Sequence, residues 1–204
     1  MVKIDRKLFV MRHAAVQNPA DTVYSNLPGF PLSELGREQA REAGQFLSRY
    51  HLDVVITSGR ERARETAQIV AEANPGNPKV IVDENLRDSG LGTYVAKISF
   101  ADWNARRKRY WQKQLQGEGG MESPHQIQER VMGTWGRVLR DYPTANILFV
   151  SHAGPLAILL ESLERRDLRP ASEAGYGIGK ADVLEIEIGP PFRIRKVFEP
   201  TTKI

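Results

Sequence analysis

The 204-residue chain contains no cysteine. That excludes a disulfide framework, a thiolate metal site and a cysteine nucleophile at once, because each depends on the sulfur. Long apolar runs are missing too. The charged start MVKIDRK leads into an apolar stretch far too short for a signal-peptide core or a membrane span, so a cytoplasmic protein without a membrane partner is expected. Nor is there a strong excess of one charge: 29 Lys and Arg against 25 Asp and Glu leave a net +4. This balance leans toward anionic partners without choosing between a phosphate ester and a nucleic acid. Low-complexity tracts and internal repeats are absent, and the 12 Pro and 17 Gly are ordinary usage. With 41% apolar residues the chain can bury a core, and one domain over 1–204 is expected.

What is present is a series of short apolar runs that end in polar residues. Leu8-Phe9-Val10-Met11 reads as a buried strand stopping at Arg12 and His13, followed by a loop over 14–32 long enough to be functional. Ser33 is the expected N-cap of a helix to about Tyr50, and 53–57 is a second strand. Ser58-Gly59-Arg60-Glu61 matches a capping box for a helix to about Ala73, with Arg62 in its first turn pointing back to the strand tip and Arg64 pointing elsewhere. After the break at 74–78, Val80-Ile81-Val82 reads as a strand leading into 83–92, which is too acidic and Gly-rich for a helix. One helix is expected over 98–115, and Ser123-Pro124-His125-Gln126 opens another. Residues 146–150 form a further strand, followed by Ser151-His152 and an apolar helix to about Leu163. A loop over 165–180 precedes strand patterns at 182–188 and 193–198.

Arg12, His13, Arg62, Asp88 and His152 thus fall at strand tips, helix starts or loops, where open α/β sheets bind ligands. A helix N-terminus after His152 favours anions. Imidazole beside guanidinium suits a nitrogen attacking a phosphoryl group that the cation holds.

Met11-Arg12-His13, the run Pro31-Leu32-Ser33-Glu34-Leu35-Gly36-Arg37-Glu38-Gln39-Ala40, Thr57-Ser58 with Arg62-Ala63 and Thr66-Ala67, and Ser151-His152-Ala153-Gly154 occur in a telling order. So arranged, they resemble the histidine phosphatase superfamily in its phosphoglycerate-mutase-like branch, over roughly residues 7–160. Gly120-Met121-Glu122-Ser123 with Arg130 resembles that family's Gly-Glu-Ser segment. The resemblance implies an α/β three-layer sandwich: a mostly parallel central sheet, helices on both faces, and a helical excursion over about 98–140 shaping the pocket. It also implies a histidine acid-type phosphatase, a metal-independent phosphomonoesterase with no cofactor. His13 would become a phosphohistidine. Arg12, Arg62 and His152 would bind the phosphoryl oxygens, and Asp88 would be general acid and then base, with Glu84 a competing carboxylate nearby. Asn18 carries over as a substrate contact. The partner implied is a small-molecule phosphate ester such as a sugar phosphate, not a nucleic acid; a homodimer is left open.

Departures from the family are Ala14 where Gly is usual and Val16 where Thr is common; Ala14 costs little unless its backbone needs a positive φ. Arg106-Arg107-Lys108-Arg109 reads as a solvated helix face, Trp103, Tyr110 and Trp111 as core, and His51 and His125 as structural. Rival readings are a mutase, for which the chain is short, a weakly catalytic phospholigand-binding domain, and nucleic-acid binding through the basic helix.

Overall fold

The computed structural model describes residues 6–94, 97–169 and 177–202. Its strands are β1 (Leu8–Arg12), β2 (Val54–Thr57), β3 (Lys79–Val82), β4 (Ile147–Ser151), β5 (Val183–Glu187) and β6 (Arg193–Phe198), joined in one sheet of order β3-β2-β4-β1-β5-β6. The first four strands are mutually parallel, and β5 is antiparallel to both β1 and β6. The helices are α1 (Glu34–Leu47), α2 (Glu61–Glu72), α3 (Phe100–Ala105), α4 (Arg107–Leu115), α5 (Pro124–Asp141) and α6 (Ala153–Leu163).

Strand periodicity explains the three layers. Leu8 and Val10 of β1, with Ile147 and Phe149 of β4, pack with Ile127, Val131 and Trp135 of α5 and Leu156 and Leu160 of α6. The alternate residues Phe9, Met11, Leu148 and Val150 pack with Ala40, Ala43 and Leu47 of α1 and Ala67 and Val70 of α2. A central strand covered on both faces must be apolar throughout, which is why these runs do not alternate with polar residues. Each such large side chain contributes roughly 1.5–3 kcal/mol relative to an exposed one. The mostly parallel sheet with helices on both faces is the expected architecture.

Local chemistry sets several helix starts. Ser33 accepts a hydrogen bond from the Gly36 amide, and Gly36 lets α1 press against the loop after His13, since a Cβ there would stand 2.0 Å from the Ala15 carbonyl oxygen. Both halves of the capping box at Ser123 and Gln126 form. The box expected at Ser58 does not. The N-cap of α2 is Arg60, with no side-chain cap; the Ser58 hydroxyl accepts from the Arg60 amide at 3.2 Å, ahead of the helix, and meets His152 Nε2 at 2.9 Å. The expected helix over 98–115 is two helices, broken at Arg106 (φ −117°, ψ 18°), which is the C-cap of one and the N-cap of the next. Of the expected excursion, α3 and α4 stand over the strand tips, whereas α5 packs on the sheet. No helix among the described residues is long and apolar enough to cross a membrane.

Candidate active site

The carboxyl ends of β1, β2 and β4 lie side by side, so Arg12, Ser151 and Thr57 end adjacent strands at matching heights. His13 follows β1, His152 follows β4, Arg62 leans back from the first turn of α2, and the segment after β3 carries Asp88 to the same point. His13, Arg62 and His152 are each at most 2% exposed.

His13 has its proton assigned by its neighbours. The Arg62 Nε donates to His13 Nε2 at 3.2 Å, and a guanidinium only donates, so Nε2 carries the lone pair. His13 Nδ1 is then the protonated nitrogen and donates to the Ala14 carbonyl at 2.8 Å. That carbonyl belongs to a fixed loop, since the Ala14 amide donates to Thr66 Oγ1 at 3.1 Å and Ala15 to Gln39 Oε1 at 3.0 Å. Ala14 is not among the positive-φ residues, so a Cβ there is no strain, and it is fully buried. Burial, then the charges of Lys180, His152, Arg62 and Arg12, hold the His13 pKa well below that of an ordinary histidine. The ring is neutral at pH 7, with the lone pair on Nε2 facing Arg62.

The Arg62 guanidinium is the hub. Its Nη2 donates to the Ser25 carbonyl at 2.6 Å, to Asp88 Oδ2 at 3.2 Å and to His152 Nδ1 at 3.2 Å. The guanidinium lies 4.5 Å over the Tyr24 ring. Since the guanidinium only donates, His152 Nδ1 carries the lone pair, and the protonated Nε2 donates to the Ser58 hydroxyl at 2.9 Å. Burial pushes His152 down to about 3, against the pull of Asp88. For Asp88, burial acts to raise the pKa, and the charges of His152 and Arg62 with the Ser89 amide outweigh it, leaving it below the usual aspartate value. Asp88 is therefore ionised at pH 7. A phosphoryl dianion entering beside it would raise its pKa and favour proton uptake.

Glu84 is elsewhere: it pairs with Arg60 at 3.0 Å on the outside of the molecule. Asn18 also stays out of the cluster. Its side-chain amide closes the 18–22 turn, donating to the Thr22 carbonyl at 3.0 Å and accepting from the Thr22 amide at 3.2 Å. From that loop Tyr24, through its ring, and Ser25, through its carbonyl, reach the site. Arg64 is exposed, as its position in α2 requires.

Several contributors carried no signal in the sequence. Lys180, just before β5, places its ammonium 3.1 Å from the Tyr24 hydroxyl, and burial with the charges of Arg12 and Arg62 lowers its pKa well below the usual lysine value. Arg130 Nη2 donates to the Asp88 carbonyl at 3.2 Å, and the guanidinium is clamped by Glu122 through Nε at 2.6 Å and Nη2 at 2.9 Å. The family-like Gly-Glu-Ser segment pointed to Glu122 and Arg130, yet only the fold shows that they act on Asp88. A cavity of about 570 Å³ opens from the cluster and is walled by α3 and α4. Tyr110 is buried core as expected, but Trp103 and Trp111 are half-buried and line this cavity, and so does Arg107 from the basic run. Among the described residues no group of three or more His, Asp or Glu is placed to hold a metal ion.

The sequence model of the histidine phosphatase superfamily (branch 1) matches residues 8–191. The chain belongs to that superfamily. A relative in Hydrogenobacter thermophilus, phosphoserine phosphatase 1, is 29% identical over 187 residues, covering 89% of this chain and 87% of that protein. The Bacillus subtilis uncharacterized phosphatase PhoE is 28% identical over 137 residues, 67% of this chain and 66% of that one. The solved structure of Bacillus stearothermophilus YhfR superposes with a TM-score of 0.79 at 23% identity, covering 94% of this chain and 96% of that chain, a likeness of fold. Relatives named as phosphatases support phosphatase activity for this chain.

Proposed function

We propose that the chain is a metal-independent phosphomonoesterase acting through a phosphohistidine at His13. The observation that carries the reading is the His13 tautomer: Nδ1 committed to the Ala14 carbonyl at 2.8 Å, Nε2 unprotonated and facing the cations. In the first step the Nε2 lone pair forms a bond to phosphorus as the ester P–O bond breaks. Asp88, protonated on substrate binding, gives its proton to the leaving oxygen. Arg12, Arg62 and His152 surround the position of the phosphoryl oxygens, where charge concentrates in the transition state. In the second step the Asp88 carboxylate takes a proton from water, the water oxygen bonds to phosphorus, and the P–N bond breaks. His13 returns neutral and inorganic phosphate leaves.

The substrate is a small phosphate ester; relatives named for phosphoserine support that size class, and a sugar phosphate rests on family analogy alone. The test is hydrolysis of an aryl phosphate and a panel of sugar and hydroxy-acid phosphates by the full chain with chelator present, beside His13→Ala. Turnover insensitive to chelator, lost in His13→Ala, with an acid-labile phosphoenzyme in rapid-quench samples, supports the reading. Turnover that needs a metal, or that survives His13→Ala, overturns it, and phosphoryl return to a second alcohol instead of water would make the chain a mutase.

A further inference from the structure

The part of the cavity beyond the phosphoryl cluster presents Leu91, Phe100, Trp103, Trp111, Ile158 and Ile178 alongside the polar Asn104 and Gln114, and the whole cavity, about 570 Å³, can enclose a ligand larger than a triose. Trp103 is fixed in place: it lies flat on Tyr110, centroids 4.9 Å apart at 9°, and the Tyr110 hydroxyl donates to Asp102 at 2.8 Å. A rigid indole wall rewards a flat apolar partner, because little side-chain entropy is lost when it is covered.

The same cavity is rimmed by two cations from different elements, Arg107 at the start of α4 and Arg169 beyond α6. Neither guanidinium is within ion-pair distance of a carboxylate among the described residues, Arg169 meeting the Glu161 charge only at longer range, whereas the adjacent Arg106 is paired with Asp102 at 3.1 Å. Both are exposed at the mouth, on the cavity rather than in the phosphoryl cluster.

The geometry points to a substrate class: phosphomonoesters of a planar aromatic alcohol that carries a second anionic group, the ring held against Trp103 and Trp111 and the distal anion between Arg107 and Arg169. This rests on the phosphatase reading and adds the leaving group to it.

The experiment compares 4-carboxyphenyl phosphate with its neutral carboxamide, 4-carbamoylphenyl phosphate, and with glycerol 3-phosphate, on the full chain. The ratio of kcat/KM for acid over amide is measured in wild type, in Arg107→Gln/Arg169→Gln and in Arg109→Gln, so that intrinsic leaving-group reactivity cancels between proteins. The expected wild-type ratio exceeds that of the double variant by about tenfold, the sum expected of two exposed charge contacts, and falls with added salt. Arg109 lies on the same helix outside the cavity, and its variant keeps the wild-type ratio. Both aryl phosphates are expected to exceed glycerol 3-phosphate, and Trp103→Ala to narrow that gap. Equal ratios in wild type and double variant, or preference for glycerol 3-phosphate, would overturn the proposal. Calorimetric binding of acid and amide to His13→Ala separates the two levels. If no ester is hydrolysed, the phosphatase reading fails, and the binding preference then decides the subsite by itself.

Discussion

Arg130→Met tests how the active site is held. Arg130 is 7% exposed at its side chain and spends its N–H groups on the Glu122 carboxylate (2.6 and 2.9 Å) and on the carbonyls of Asn85, Arg87 and Asp88. Methionine fills similar space but donates nothing. Glu122, 12% exposed, would keep Arg87 and the Gly90 amide as partners and lose its closest one. Leaving a buried charge uncompensated costs about 3–5 kcal/mol; with those partners kept, the loss is about 2–3 kcal/mol. For a chain of this length that is a fall in Tm on the order of 10 °C. The catalytic consequence is separate. The Asp88 carbonyl would keep only Asn26, at 2.9 Å, and an acid displaced by about 1 Å loses on the order of 10²-fold. With Asp88 as the proposed proton donor to the leaving oxygen, kcat/KM for an alkyl phosphate should fall by about 10²-fold, while 4-nitrophenyl phosphate, whose leaving group needs no proton, loses less than about tenfold. Thermal unfolding and steady-state kinetics well below Tm report the two effects. A Tm unchanged within about 2 °C, or equal losses on both substrates, would refute the reasoning.

Asp88→Asn should show the same asymmetry together with a loss of stability, since it leaves the buried Arg62 without its carboxylate partner, and should lower alkyl phosphate turnover by about 10²–10⁴-fold, as a Glu84→Gln control does not. Removing the charge in Lys180→Met should raise the His13 pKa, since Lys180 lowers it, and so move the acid limb of kcat/KM to higher pH; Lys180→Arg should restore it, and an unmoved limb would discard the role. Acid stability should follow the buried histidines. Their pKa values are depressed in the folded state, His152 to about 3, so the unfolded chain binds more protons and stability declines as pH falls from about 6.5 toward 3. Asp88 and Glu122, both lowered, add the same sign near the bottom of that range. Chemical denaturation from pH 7 to 4 measures it, and His152→Asn should flatten the slope; a flat wild-type profile would contradict neutral burial.

The sequence by itself determined the strands, both histidines, Arg12 and the place of Arg62, because each depends on patterns a few residues long. An apolar run ending in Arg-His makes a strand tip, and the first turn of a helix aims its arginine backward. The competition between Asp88 and Glu84 was beyond sequence, since four residues separate them and only the path after β3 sends one inward and the other out to Arg60. Asn18 and Ser25 divide for the same reason: the loop's own hydrogen bonds consume the Asn18 amide and leave the Ser25 carbonyl to Arg62. Ser58 reads as a helix cap; its hydroxyl does take a local amide, that of Arg60, but it also meets His152, 94 residues away, because β2 and β4 are neighbours in the sheet. Lys180 and Tyr24 are separated by 156 residues, and no local pattern predicts their contact. Tertiary structure decided these contacts because it sets which strand tips are adjacent, and with that which polar groups leave water together.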